Sequence, residues 1–136
     1  MTEALSNQII TVVGAGLAGS ECAWQLAEQG FTVELIEMRD KVQTPAHKTS
    51  KMAELVCSNS FGSLSPTSAT GQLKWEAEKM KSLILACAHK TYVPAGQALG
   101  VDRERVSEMV TETIQSHPRI TVSNRVVNSL DEIPRL

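Results

Sequence analysis

The sequence predicts an α/β domain built around a parallel sheet, on three observations. Residues 8–13 are a short run rich in β-branched side chains, and residues 31–36 are a second such run. Between them, residues 17–29 carry apolar side chains at helical spacing, and Gly30 follows as a helix-ending glycine. The predicted buried stripe of this helix consists of Leu17, Cys22, Ala23, Leu26 and Ala27. Continuous apolar runs are typical of strands buried on both faces of a parallel sheet. A strand–helix–strand unit of about 30 residues is the expected size of a βαβ unit.

A glycine turn joins the first strand to the first helix and predicts a Rossmann-like domain. In the G-x-G-x-x-G pattern, Gly14 allows the tight turn, Gly16 lets a pyrophosphate approach the backbone, and Gly19 lets the helix pack on the strand. The free N–H groups of the helix N-terminus attract a phosphate. The candidate phosphate-binding residues are Gly14, Ala15, Gly16, Leu17, Ala18 and Gly19.

An acidic residue follows the second strand at the distance this pattern requires. Glu37 stands where a carboxylate can accept hydrogen bonds from a ribose diol, and it would repel the 2′-phosphate of NADP. The spacing from Gly19 through Gly30 to Glu37 resembles the FAD-binding form of the fingerprint, which favours FAD over NAD. The sequence departs from that form after Glu37, because residues 39–43 replace the usual pair of glycines. We therefore predict a Rossmann-like FAD/NAD(P)-binding domain.

Composition excludes several other classes of protein. The 136 residues form one domain at most, with a net charge of −2 and 4% aromatic residues, which argues against a basic or stacking nucleic-acid surface. The longest apolar run, residues 83–88, is too short to span a bilayer, and residues 1–4 carry no signal-peptide pattern. Three widely spaced cysteines show no zinc spacing, so we expect no metal and a reducing, cytoplasmic location.

The middle of the chain predicts loops and helices. Residues 38–51 form a loop with a net charge of +3, which is either solvated or faces a phosphate. Residues 52–57 predict one or two helical turns, and residues 58–68 a polar loop. Cys57, at their junction, is either a small buried side chain or a reactive thiol. Residues 70–90 predict one long helix whose buried face carries Leu73, Ala77, Met80, Ile84 and Cys87.

The last third predicts a second helix and a third strand. Ser68 or Thr70 caps the long helix, residues 91–101 are extended, and Asp102 caps a helix over residues 103–116. Residues 120–122 form a strand expected beside the first or the second strand, and residues 126–127 extend the sheet or begin a β-meander. Three strands are fewer than the five or six of a dinucleotide-binding sheet. We therefore expect residues 1–136 to be the N-terminal part of an FAD-binding domain, with the remainder and a second domain elsewhere.

The loops resemble one family closely. The motifs Thr44-Pro45-Ala46-His47-Lys48-Thr49, Glu54-Leu55-Val56-Cys57-Ser58-Asn59-Ser60 and Val93-Pro94-Ala95-Gly96, beside Glu37-Met38-Arg39, are similar to those of the TrmFO family. These are bacterial folate- and FAD-dependent tRNA (uracil-5-)-methyltransferases. The resemblance implies that methylenetetrahydrofolate supplies a one-carbon unit, reduced FAD a hydride, and NADPH or NADH the electrons. The product would be 5-methyluridine in the T-loop of tRNA.

The resemblance also implies roles for individual residues. Cys57 would be catalytic, and either attacks C6 of uracil or protects and positions the flavin. His47, Lys48 and Arg39 would lie near the cofactor and its phosphates, and Arg103 is either a phosphate contact or part of a surface salt bridge.

If residues 1–136 are the N-terminal part of an FAD-binding domain, we expect them to be inactive on their own and to bind FAD weakly. Two alternatives stay open: a GidA-type flavoprotein that modifies another tRNA uridine, and a non-catalytic dinucleotide-binding module. The oligomeric state is open.

Overall fold

The computed structural model describes residues 8–134, so the expectation for residues 1–4 lies outside the described residues. In chain order its elements are β1 (Ile9–Val13), α1 (Leu17–Glu28), β2 (Thr32–Glu37), β3 (Ser60–Ser63), α2 (Ala69–Lys79), α3 (Leu83–Lys90), β4 (Tyr92–Val93), β5 (Ala98–Val101), α4 (Arg103–Ser116), β6 (Ile120–Asn124) and a 3₁₀ turn at Leu130–Glu132.

The main sheet is parallel and three-stranded over the described residues, in the order β1-β2-β6. Its central strand, β2, buries Val33, Leu35 and Ile36. The third strand thus lies beside the second, one of the two expected places. Because the strands are parallel, their carboxyl ends meet at one edge, where α/β ligands bind. The predicted α/β class with a parallel sheet is confirmed.

The first strand is less buried than its sequence predicts. Ile9 and Val13 at its two ends are 59% and 52% exposed. Within residues 8–134, β1 has a partner strand on one side, β2, so its other edge lies open.

Helices α1, α3 and α4 pack together and enclose the core. Helix α4 follows the predicted bounds, and its Asp102 cap accepts a hydrogen bond from the Arg105 N–H at 3.2 Å. The buried side chains of α1 are Ser20, Ala23 and Ala27, whereas Cys22 is exposed. The prediction that Cys22 belongs to the buried stripe is therefore wrong, because the two small alanines face the core instead.

The single helix predicted over residues 70–90 is two helices, α2 and α3. Between them Lys81 has a positive φ of 58°, which no α-helix accommodates. The following Ser82 caps α3, and the carboxylate of Glu21 on α1 accepts hydrogen bonds from the N–H groups of Leu83 (3.1 Å) and Ile84 (2.9 Å). A distant carboxylate thus satisfies the donors of a new helix start and stabilises the break.

The break exposes two residues that the single-helix prediction places in the core. Leu73 and Met80, predicted to be buried, are 65% and 68% exposed, while Ile84 and Cys87 on α3 are buried as predicted. Ser68 caps α2 by accepting a hydrogen bond from the Gly71 N–H at 3.0 Å, which confirms one of the two expected caps.

A small antiparallel sheet, in the order β3-β5-β4, lies between β2 and α4 in the chain. Its strand β3 falls within residues 58–68, which the sequence predicts to be loop throughout. Residues 91–101, predicted to be extended, supply β4 and β5. Residues 126–127 form no strand.

The helical turns predicted over residues 52–57 are absent. Ala53 has a φ of 52°, and its N–H donates to the Ala15 carbonyl at 2.9 Å. The Met52 N–H donates to Thr111 Oγ1 at 2.9 Å, and Ser107 Oγ donates to the Met52 carbonyl at 2.6 Å. These bonds to other elements replace the local bonds of a helix, so the segment is an irregular link between α4 and the glycine turn.

Candidate dinucleotide-binding site

A cleft of about 330 Å³ lies at the carboxyl edge of the parallel sheet. It collects residues from the ends of all three parallel strands and from the loop after β2. The lining residues are Val13, Gly14, Gly16, Ile36, Glu37, Met38, Arg39, Thr44, His47, Arg125 and Val127.

The glycine turn forms one wall of this cleft and is open toward it. Gly14 has a φ of 94°, and its N–H donates to the Ile36 carbonyl at 2.7 Å. Gly16 is the N-cap of α1, with no side chain capping the helix. A Cβ built on either glycine would meet nothing within 4 Å. The turn is therefore a shallow cradle beside uncapped helix N–H groups, which suits a phosphate.

Gly19 serves the packing of the turn. A Cβ at this position would lie 1.7 Å from the Gly14 carbonyl oxygen. Only glycine therefore allows the helix to approach the turn this closely. Ser20 is fully buried, and its Oγ donates to the Ala15 carbonyl at 3.2 Å. The turn is thus held from the helix side.

Glu37 and Arg39 form a buried pair behind the turn. Glu37 is 5% exposed and Arg39 is 3% exposed. Nε and Nη2 of the guanidinium each lie 3.0 Å from a different oxygen of the carboxylate. Glu37 also accepts from the N–H groups of Ala15 at 2.7 Å and of Arg39 at 2.9 Å. The carboxylate therefore faces the cleft in a fixed orientation.

These hydrogen bonds keep Glu37 ionised. Burial raises the pKa of Glu37, but hydrogen bonds from the Arg39 side chain, the Arg39 N–H and the Ala15 N–H outweigh burial. The net result lowers the pKa from an ordinary 4.5 to about 2. A permanently charged carboxylate is an acceptor suited to the two hydroxyl groups of a ribose.

The two candidate residues of the loop after β2, His47 and Lys48, lie in different pockets. His47 lines the cleft, and its Nδ1 is hydrogen-bonded to Thr44 Oγ1. Lys48 is exposed and lines a separate small pocket with Glu54 and Arg103. The main-chain N–H of Lys48 donates to Glu54 Oε1 at 3.0 Å, so Glu54 fixes the turn that separates the two side chains.

Of the three free cysteines, Cys57 and Cys22 are exposed and Cys87 is buried. Burial raises the pKa of the Cys87 thiol, so this cysteine is unreactive. Cys57 follows the irregular segment that is anchored on the glycine turn by Ala53, and it does not line the cleft in the described part of the chain. Cys57 thus lies at the surface of the described part of the chain.

Within residues 8–134, no group of three or more His, Cys, Asp or Glu side chains is arranged to hold a metal ion. Nor does that part of the chain contain a helix with the length and apolar character needed to cross a membrane.

A family model described as "Glucose inhibited division protein A" matches residues 9–134, almost the whole chain. The chain belongs to the GidA family. The match includes the glycine turn, Glu37 and the Cys57 segment, which are the features that build the cleft and its surroundings.

Three relatives of this GidA-family chain carry the name methylenetetrahydrofolate–tRNA-(uracil-5-)-methyltransferase TrmFO. That of Bdellovibrio bacteriovorus is 64% identical over 99% of this chain and 31% of its own length. That of Staphylococcus saprophyticus is 56% identical over 93% of this chain and 29% of its own length. That of Aquifex aeolicus is 53% identical over 90% of this chain and 28% of its own length. The resemblance read from the loop motifs is confirmed, and the chain spans about 30% of the length of these relatives.

Arg125 and Val127 are among the residues of the GidA-family cleft that the sequence does not predict as site residues. They follow β6 and line the same cleft as the glycine turn. The Arg125 N–H donates to the Glu37 carbonyl at 3.1 Å, and its guanidinium lies 3.9 Å from Glu34. Their position after the third parallel strand is the available signal, because ligands bind where such strands end.

Proposed function

We propose that this chain is the N-terminal part of the FAD-binding domain of a cytoplasmic methyltransferase that makes 5-methyluridine in the T-loop of tRNA. The observation that carries the proposal is the open glycine cradle facing the charged Glu37, in a chain 64% identical to a TrmFO. The three unpaired cysteines agree with a reducing compartment.

FAD fits the residues of the cleft. The diphosphate would lie against the uncapped N–H groups at Gly16–Gly19, and the adenosine ribose would hydrogen-bond to Glu37. Val127 and His47 also line this cleft, and His47 would contact the cofactor. Arg39 holds Glu37 in place, and Lys48 would act from outside the cleft.

The methyl transfer needs a nucleophile, because C5 of uracil is otherwise unreactive. We assign this role to Cys57: its thiolate adds to C6 of uracil, and C5 then forms a bond to the one-carbon unit of methylenetetrahydrofolate. Loss of the C5 proton then expels tetrahydrofolate, which breaks the bond between the folate nitrogen and the one-carbon unit and leaves a methylene group on C5. FAD, when bound and reduced by NADPH or NADH, would supply the hydride that adds to this methylene group, and departure of the Cys57 thiolate would restore the ring double bond.

The test uses the protein encoded by the complete reading frame and a tRNA transcript with methylenetetrahydrofolate, FAD and NADPH or NADH. We expect 5-methyluridine in the T-loop, its loss in Cys57→Ala, and full activity in Cys22→Ala, which removes the other exposed thiol. The chain of 136 residues alone should give no product. Modification of a different tRNA uridine would favour a GidA-type enzyme, and unchanged activity in Cys57→Ala would refute the assigned nucleophile.

A further inference from the structure

Ala15 joins the cofactor-binding side of the turn to the segment that leads to Cys57. Its N–H donates to the Glu37 carboxylate at 2.7 Å. Its carbonyl oxygen accepts from the Ala53 N–H at 2.9 Å, from Arg39 Nη2 at 3.1 Å and from Ser20 Oγ at 3.2 Å. Ala15 and Ala53 are both fully buried. A shift of the turn therefore moves the acceptor on which residues 52–57 are anchored.

Arg39 touches three parts of the site at once. The guanidinium binds Glu37 through two nitrogens and the turn through the Ala15 carbonyl. Its Nη1 is buried, has no hydrogen-bond partner among residues 8–134, and lies 4.0 Å from Glu54 Oε2. Glu54 in turn accepts hydrogen bonds from the N–H groups of Lys48 and Thr49. One planar side chain thus links the ribose acceptor, the glycine turn and the loop before Cys57.

The segment before Cys57 depends on these contacts. A φ of 52° at Ala53 is unfavourable for a residue with a Cβ, so the surroundings must hold it there. The holding contacts are the bond to Ala15 on one side and those of Met52 with Thr111 and Ser107 of α4 on the other. Weakening the first contact releases the backbone that positions Cys57.

We propose that Arg39 is a positioning residue that couples occupancy of the glycine turn to the Cys57 segment. The coupling rests on the proposed function for its ligand, FAD. Phosphate at the helix N-terminus and ribose at Glu37 restrain the turn and the carboxylate. Because the Arg39 guanidinium also contacts the Ala15 carbonyl and Glu54, these groups are restrained as well. Residues 52–57, which are anchored on the Ala15 carbonyl, then open less often. By linkage, restraint of the segment strengthens FAD binding to the same extent.

The test measures hydrogen–deuterium exchange of the Ala53 amide in the protein encoded by the complete reading frame, with and without FAD. The main variant, Arg39→Lys, keeps a positive charge beside Glu37 but lacks the fork that reaches three acceptors. Lys41→Arg is the matched control, since Lys41 is an exposed residue of the same loop, paired with Asp40 at 3.7 Å. Alkylation of the buried Cys87 reports global unfolding in every sample.

We expect Arg39→Lys to speed Ala53 exchange about five-fold without FAD, the effect of losing one hydrogen bond. We expect FAD to slow this exchange in the original protein and in Lys41→Arg, and to have little effect in Arg39→Lys. Alkylation of Cys87 measures the global stability lost with the Glu37–Arg39 pair, and each exchange rate is corrected for that loss. A purely structural role would speed exchange and alkylation everywhere without altering the response to FAD, and that result would overturn the proposal.

A second variant covers the case in which Arg39→Lys does not fold. Glu54→Gln leaves the Glu37–Arg39 pair intact and removes the carboxylate near Nη1, so Ala53 exchange should again rise and the FAD response shrink. Exchange equal to that of Lys41→Arg would contradict the coupling. Failure of FAD to protect the amides of residues 16–19 would instead contradict the proposed function, while the comparison without FAD still tests Arg39.

Discussion

At the scale of single residues, Glu37 carries a negative charge although it is buried, with only 5% of its surface exposed. Four donors surround its two oxygens, two of them from one guanidinium and two from main-chain N–H groups. Burial alone would favour the protonated carboxyl, but the donors reverse that preference. The residue therefore stabilises the turn and at the same time places a charged acceptor at the cleft.

The lowered pKa of Glu37 predicts a pH dependence of stability. A folded-state pKa of about 2 against an ordinary 4.5 means that the folded state holds its proton less tightly than the unfolded state. The ionised residue contributes about 3 kcal/mol above pH 4.5, and this contribution is lost as the pH falls toward 2. Urea denaturation between pH 6 and 2 should show that the free energy of unfolding falls less steeply with pH in Glu37→Gln than in the original protein. Parallel curves for the two proteins would contradict the assigned hydrogen bonds.

A methyl group added at Gly19 should unfold the turn. The Cβ of Gly19→Ala would lie 1.7 Å from the Gly14 carbonyl oxygen, and backbone must move to admit it. We expect a loss of about 3 kcal/mol in the free energy of unfolding, at the upper end for overpacked sites, because the clash is with backbone. Gly16→Ala is the control, with open space around the new methyl group and an expected cost of about 1 kcal/mol or less. Equal stability of the two variants in thermal denaturation would contradict the turn geometry.

The sequence predicts part of this site well. The glycine turn and Glu37 belong to one local pattern, and the strand–turn–helix context determines where both lie. The burial of Arg39 was not predictable in the same way, because it depends on Ala15 and Glu54 meeting it from two other segments. Arg125 was missed for a related reason: its role depends on which strand lies beside β2.

At the scale of elements, local caps were predictable and distant ones were not. Ser68 and Asp102 each cap the helix that follows them, so the signal lies within three residues. The start of α3 depends in addition on Glu21, whose carboxylate lies 61 to 63 residues away in sequence from its partners. The helical spacing of residues 70–90 continues across the break, and a tertiary contact overrides it.

Removing the carboxylate of Glu21 should destabilise the start of α3. Glu21→Ala leaves two main-chain donors and the Ser82 hydroxyl without their acceptor and removes a negative charge from a helix N-terminus. We expect a loss of about 1 to 2 kcal/mol in urea denaturation. Glu76→Ala on α2 removes a carboxylate bonded to the exposed Gln72 and should cost less than about 0.5 kcal/mol. A loss no larger than that of Glu76→Ala would argue against the cap.

At the scale of the whole molecule, the chain exposes large apolar side chains in two of its segments. Strand β1 leaves Ile9 and Val13 largely exposed, and the break between α2 and α3 leaves Leu73, Trp75 and Met80 more than half exposed. The relatives are about three times as long as the stretch that matches.

We expect the protein encoded by the complete reading frame to bind FAD at least about ten-fold more tightly than the 136 residues alone, since a cofactor of this size needs a larger enclosing surface. Titration with FAD, followed by flavin fluorescence, measures both affinities. Equal affinities would show that residues 1–136 contain the whole cofactor site.

In the proposed function, the glycine turn receives the diphosphate of FAD. The most direct test compares FAD affinity in the complete protein with that of Gly16→Ala, whose new methyl group meets no protein atom within 4 Å and fills the open cradle. We predict an affinity at least about ten-fold weaker with the fold retained, because the phosphate can no longer approach the backbone. An unchanged affinity in the folded variant would place the diphosphate elsewhere and contradict the account.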